Sequence, residues 1–202
     1  MRIYTRIELL FPENSRAVWM IPGVEIIFGS SGNFSLPEMN GTENAFKVFC
    51  GRKRTYLENY DSPLSVFCDG VQCERGQRVT TQTPFTFGFG RFLFRATFLE
   101  VNEHIEFFNV SFVELSGEIV ATIPVPAQGE IAFGRSDDTF LKFSRTGMSR
   151  IHGLIFRKGK DVFIRIIGKN NDLTIDGISS SEEDVSLNGR HLEMFGLNII
   201  MN

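Results

Sequence analysis

Apolar and polar positions alternate through much of this chain. Phe85-Thr86-Phe87-Gly88-Phe89 is the clearest case, with a phenylalanine at every second residue. Successive side chains of a strand point to opposite faces, so this pattern predicts a strand with one buried face. The same reading predicts strands near Thr5–Leu10, Val24–Gly29, Ala45–Cys50, Leu64–Asp69, Phe85–Phe89 and Phe92–Leu99. A second set falls near Ile105–Leu115, Glu118–Ile123, Gly129–Gly134, Gly153–Arg157, Asp161–Ile167, Leu173–Asp176, Val185–Asn188 and Leu197–Met201. Turn chemistry separates them. Arg157-Lys158-Gly159-Lys160 joins two apolar runs as a short hairpin does. Pro124-Val125-Pro126 is excluded from the middle of a sheet, and Gly168-Lys169-Asn170-Asn171-Asp172 is rich in turn formers. No window sustains helical periodicity over three turns, so the expectation is an all-β sandwich or barrel.

The pattern occurs twice. Glu25-Ile26-Ile27-Phe28-Gly29-Ser30-Ser31 reads like Glu130-Ile131-Ala132-Phe133-Gly134-Arg135-Ser136. Asp69-Gly70 matches Asp176-Gly177, and Phe89-Gly90 matches Phe195-Gly196, in the same order and at a nearly constant spacing of about a hundred residues. That period is too long for a solenoid repeat, so each copy should bury its own core. The expected units are 1–101 and 104–202, joined near Glu100–His104 by a link short enough to hold them together.

Composition narrows the function classes. The 202 residues carry a net charge of −3, which gives no basic face for nucleic acid. No apolar stretch reaches membrane-spanning length, and the N-terminus runs into a strand pattern rather than a signal-like apolar segment. The expectation is a cytoplasmic location, without membrane insertion by this chain. Cys50, Cys68 and Cys73 are odd in number and lack CxxC spacing, which favours free thiols over a disulfide framework or zinc site. Asn33-Phe34-Ser35, Asn40-Gly41-Thr42 and Asn109-Val110-Ser111 match the glycosylation triplet, a short pattern discounted here. His104, His152 and His191 are scattered, no GxSxG surrounds a serine, and Gly168-Lys169 lacks the rest of a phosphate loop. The expectation is a chain with no catalytic residues, no cofactor and no metal. Twenty-one phenylalanines stand against one tryptophan. Phe85–Phe94 reads as core in preference to an exposed docking edge.

The second copy carries an ordered set of polar loop residues: Gly134-Arg135-Ser136, Ser149-Arg150-Ile151-His152, Asn170-Asn171 and Asp176-Gly177. The set resembles the forkhead-associated (FHA) domain, a phosphothreonine-binding β-sandwich, from Phe107 to the C-terminus. The family pattern is Gly-Arg at a strand end, Ser-x-x-His about 14 residues later, then Thr-Asn-Gly or Ser-Asn-Gly before a strand ending in Asn-Gly. The resemblance implies two tandem FHA-like antiparallel β-sandwiches. It implies a phosphopeptide site of Arg135, Ser149, Arg150, Lys169, Asn170 and Asn171, with His152 bracing the Ser149 loop. A phosphate ester offers roughly two negative charges and strong acceptor oxygens, which charged donors on rigid loops would meet. Two departures stand out. Asp172 replaces the family's glycine and brings a carboxylate near the pocket, and Asn170 replaces Ser or Thr. Arg145 lies just upstream of Ser149.

In the first copy Ser30 takes the place of Arg135. Aligned by sequence, Glu43 and Asn44 fall on Ser149 and Arg150, Phe46 on His152, and Leu64 on Asn171. That copy resembles an FHA domain that has lost its phosphate contacts. A tandem pair of this kind resembles the cytoplasmic start of the FtsK/SpoIIIE-type membrane ATPase of type VII secretion systems. Met194-Phe195-Gly196-Leu197-Asn198-Ile199-Ile200 is similar to the end of that family's second FHA domain. The resemblance implies a non-catalytic interaction module that recruits protein partners at a membrane-bound secretion complex. A self-sufficient phosphothreonine-dependent adaptor is the alternative, and a type III secretion ring domain ranks below both.

Overall fold

The computed structural model describes residues 1–202 apart from Val24 and Asn171. The first half of the chain contains β1 (Arg2–Phe11), β2 (Ala17–Pro22), β3 (Glu25–Phe28), β4 (Phe46–Cys50) and β5 (Thr55–Asn59). It continues with β6 (Val66–Cys68), β7 (Val71–Cys73), β8 (Arg78–Thr81), β9 (Phe85–Phe89) and β10 (Phe92–Val101). The second half contains β11 (Asn109–Glu114), β12 (Ile119–Pro124), β13 (Gln128–Gly134), β14 (Leu141–Lys142), β15 (Gly153–Lys158) and β16 (Asp161–Ile166). It ends with β17 (Thr174–Ile175), β18 (Ile178–Ser179), β19 (Asp184–Ser186), β20 (Leu192–Met194) and β21 (Leu197–Met201). Among the described residues the only helical turn is a 3-10 turn at Pro37–Met39.

In the first half, one sheet runs β2-β1-β10-β9-β6-β7 and the other β3-β4-β5-β8. In the second half, the order β12-β11-β21-β20-β17-β18 faces β13-β15-β16-β19. The two orders correspond strand for strand. Named pairs are antiparallel except β13–β14, where Phe133 lies beside Leu141 in parallel. The first half has a parallel bridge at the matching place, Phe28 to Phe34.

The halves share one sheet. Gln128 and Gly129 of β13 pair with Val18 and Ala17 of β2, which fuses a four-stranded and a six-stranded layer, with β14 added beside β13, into an 11-stranded sheet. A Cβ on Gly129 would lie 1.6 Å from the Arg16 carbonyl oxygen, so only glycine permits this approach. Trp19 is buried at the junction and its Nε1–H donates to the Pro124 carbonyl at 2.5 Å. Its ring meets Phe34, Phe94 and, from the second half, Phe140, at centroid distances of 5.3, 6.2 and 5.5 Å. Tertiary pairing thus ties the halves into one hydrophobic cluster.

Alternation explains most elements. Ile7 and Leu9 of β1 point inward while Arg6 and Glu8 are more accessible. Phe85, Phe87, Phe89, Phe92 and Phe94 are all at most 3% exposed, which places this segment in the core. Phe87 and Phe94 stack at 5.0 Å. The hairpin at 158–161 forms as expected, with Lys158 opposite Asp161 and Gly159 at φ 65°. The readings differ from the structure in places, and β5 and β8 are further strands that the sequence reading left out. The strand expected from Ile105 begins only at Asn109. The strand expected from Val24 begins on a residue outside the described set. β2 is a central strand that alternation missed, because Val18 and Met20 on its second face are apolar too and half-buried. Cys50, Cys68 and Cys73 are buried free thiols; burial, first of all, pushes the Cys68 thiol up to about 12.

Candidate functional site

The loop cluster of the second half is built on close backbone contact. Gly134 ends β13, and a Cβ there would lie 2.3 Å from the Arg150 carbonyl oxygen and 2.9 Å from the His152 nitrogen. The contact is held by three backbone hydrogen bonds. Arg135 N–H donates to Ser149 O at 3.1 Å, Ser136 N–H to Arg150 O at 3.0 Å, and His152 N–H to Phe133 O at 2.8 Å. The strand end carrying Arg135 and the loop carrying Ser149 are therefore one rigid unit.

His152 supports this unit from below. It is fully buried, and its Nδ1 accepts the Ser149 N–H at 3.2 Å. The ring must then be neutral, with its proton on Nε2. That nitrogen is buried and has no hydrogen-bond partner among the described residues. Phe133 and Phe195 flank the ring, the latter edge-on at 5.0 Å. Burial pushes the imidazole below its usual range, and Asp172 opposes this only in part. A Cβ on Gly168 would fall 2.3 Å from His152 Nδ1 and 2.9 Å from Ser149 Oγ, so glycine lets the Lys169 loop close onto the same brace.

Two depressions meet at Ser149. One is an open groove of about 660 Å³ lined by Arg135, Ser149 and the segment from Ser144 to Met148. The other, of about 460 Å³, is lined by Arg150, Lys169, Ser136 and Asp138 together with Ile151 and the exposed Ile167. Arg135 is exposed, and among the described residues its guanidinium makes no hydrogen bond or ion pair, nor does the Ser149 hydroxyl. Arg150 lies 3.6 Å from Asp138, both well exposed, a contact worth little in water. Asn170 is spent differently: its Nδ2 donates to the carbonyl of Gly147, a residue that lines the groove, at 3.3 Å. Asn171 lies outside the described residues.

Arg145 lines the groove but is drawn away by an ion pair with Glu114. Asp172 accepts the Phe195 N–H at 3.2 Å, so the departure from glycine supports a neighbouring turn. Ser144, Thr146 and Met148 were missed by sequence reasoning. They hold no position in the repeat-to-repeat match, and only the path of the loop brings them to Arg135. Among the described residues, no group of three or more His, Cys, Asp or Glu side chains is placed to hold a metal ion. Among the same residues no helix is long and apolar enough to cross a membrane.

The first half repeats the scaffold with different chemistry, and the structure corrects the residue matching. Ser30 N–H donates to Thr42 O at 2.8 Å, Ser31 N–H to Glu43 O at 3.1 Å, and Ala45 N–H to Phe28 O at 2.7 Å. A Cβ on Gly29 would lie 2.3 Å from Glu43 O. Thr42, Glu43 and Ala45 therefore stand at the places of Ser149, Arg150 and His152, one residue earlier than the sequence match put them. The loop was one residue out because no apolar position marks register within it. Asp61 takes the place of Gly168: Tyr60 and Asp61 N–H groups donate to Ala45 O as those of Ile167 and Gly168 donate to His152 O. The matching depression of about 430 Å³ is lined by Thr42, Glu43, Tyr60 and Asp61. It offers two carboxylates where the other offers cations.

No protein-family model matches this chain, and no curated protein sequence does. Among solved structures 23 chains match. One comes from a structural and functional analysis of phosphothreonine-dependent FHA domain interactions: 20% identity, TM-score 0.39, covering 48% of this chain and 96% of that one. The FHA domain of the CT664 protein from Chlamydia trachomatis gives 15% identity and TM-score 0.42, covering 48% and 96%. EmbR of Mycobacterium tuberculosis, in complex with a low affinity phosphopeptide, gives 18% identity and TM-score 0.37, covering 46% and 24%. The first two are described as FHA domains, and each of the three matches spans about half of this chain.

Proposed function

We propose that the chain is a non-catalytic interaction module of two FHA-like sandwiches, 1–101 and 104–202, whose second unit reads phosphothreonine peptides. One observation carries the reading. Arg135 and Ser149 line a shared open groove on backbone fixed by Gly134 and His152, and among the described residues neither the guanidinium nor the Ser149 hydroxyl has a hydrogen-bond partner. Uncommitted donors on rigid loops suit a multiply charged oxyanion, because no internal bond has to break before the ligand binds. Arg150 and Lys169 add positive potential beside Ser149. Asn171 is assigned to the peptide backbone on the family resemblance. In the first unit, Ser30, Glu43 and Asp61 replace this set, so that unit serves as scaffold and protein contact.

The setting we propose is the cytoplasmic part of an FtsK/SpoIIIE-type secretion ATPase. The similarity of Met194–Ile200 to that family supports it. Co-purification with a motor ATPase encoded alongside or in continuation would support this setting, and a stand-alone adaptor would lack such a partner.

The test is titration of a phosphothreonine peptide library, with its unphosphorylated counterpart, against the wild-type chain and Arg135→Ala. Binding that needs both the phosphate and Arg135 is expected. Equal affinity for both peptide forms would overturn the reading.

A further inference from the structure

The turn that follows Arg135 rests on the first half of the chain. Phe140 is fully buried, with its ring 5.5 Å from Trp19 and 5.3 Å from Phe92. Its N–H donates to Ser15 Oγ at 3.1 Å, and the same oxygen accepts the Ala132 N–H at 3.0 Å. Arg91 completes the contact. Its guanidinium donates to the carbonyls of Asp137 and Thr139, and to that of Phe140 at 3.2 Å. Glu38 holds the same guanidinium from the other side, at 2.9 Å to Nη2 and 3.2 Å to Nε. Both side chains are at most a quarter exposed.

The turn is also part of the candidate site. Ser136 Oγ donates to Asp138 at 2.9 Å, Asp138 faces Arg150, and Ser136 N–H binds the Arg150 carbonyl. Ser136 and Asp138 line the depression beside Ser149. An arginine at one turn of the first half thereby fixes the carbonyls of a turn that shapes the site of the second.

We infer that Arg91 is a positioning residue for the second half's ligand site, so that the site is complete only when the first half is folded against it. A guanidinium suits the task, because its planar fork of five donors spans several carbonyls and a carboxylate at once. Lysine offers a point charge and would hold the turn less well. The inference rests on the phosphopeptide reading for its consequence in binding, but not for the coupling itself.

The experiment therefore has two arms, run on Arg91→Ala, Arg91→Lys and, as a remote surface control, Arg78→Ala. The first arm is native-state hydrogen exchange of the unliganded chain at the Ser136, Thr139, Phe140 and Phe143 amides. Exchange there is expected to rise about ten-fold or more in Arg91→Ala and less in Arg91→Lys, with β4 and β5 unchanged. Rates equal to those of Arg78→Ala, or a rise shared by every amide, would overturn the inference. The second arm is affinity for the phosphothreonine peptide library. A several-fold loss in Arg91→Ala, partly restored in Arg91→Lys, is expected. Undiminished binding by Arg91→Ala would overturn the positioning role. If the wild-type chain binds no phosphopeptide, the functional reading fails and the exchange arm alone decides the coupling. If Arg91→Ala does not fold, Arg91→Lys carries both arms.

Discussion

Mild acid should loosen the candidate site through one residue, His152. The ring is fully buried, its Nδ1 accepts the Ser149 N–H, and its pKa is pushed down chiefly by burial. A base whose folded pKa is depressed binds its proton later than in the unfolded chain, where histidine titrates near about 6.5. Its contribution is thus fully present above that pH and is lost as the pH falls below it. The loss runs at about 1.4 kcal/mol per pH unit until the folded form also titrates. One unit corresponds to a melting temperature lower by about 3–5 °C for a chain of this length. Protonation at Nδ1 also removes the acceptor for Ser149, so phosphopeptide binding should weaken over the same range. The assay is urea or thermal unfolding from pH 7.5 to 5, for the wild-type chain and His152→Phe. The variant should be less stable at pH 7.5 and flatter below 6.5. His104 and His191 lie on the surface, and Asp184 is held well below the usual carboxylate range by Arg165 and Lys158, so its contribution fades only at lower pH. An equal slope between pH 6.5 and 5 in both proteins would refute the assignment to His152.

Three further outcomes follow from contacts already described. Gly134→Ala should cost about 1–3 kcal/mol in urea unfolding, because its Cβ would meet backbone rather than a movable side chain; a neutral substitution would contradict the close approach. Trp19→Ala should cost about 3–5 kcal/mol, since it empties the junction and orphans the Pro124 carbonyl; a loss below about 1 kcal/mol would mean that the halves do not depend on this contact. Arg135→Ala should leave stability within about 0.5 kcal/mol of wild type, because no partner among the described residues is lost, while phosphopeptide binding disappears. A large destabilisation would show Arg135 to be structural.

The sequence by itself determined the all-β character of this chain, most of its strands and the order of its polar loop residues. These are local properties: alternation writes a buried face into a strand, and glycine and proline mark turns. Strands with two apolar faces or only two or three residues, such as β2 and β18, carry too little pattern to stand out, and β5 and β8 are too polar in sequence to read as half-buried strands. Arg135, Ser149 and His152 were legible as a motif because their spacing survives on the chain, whereas the one-residue correction at Glu43 required the backbone hydrogen bonds. Only the tertiary structure decided that β2 and β13 pair, that Phe140 packs on Trp19, and that Arg91 reaches the turn after Arg135. Each of these contacts joins residues far apart in sequence. Nothing in the neighbourhood of Arg91 or of Thr139 announces the other, because their meeting depends on how two sandwiches pack and not on any local preference of either segment.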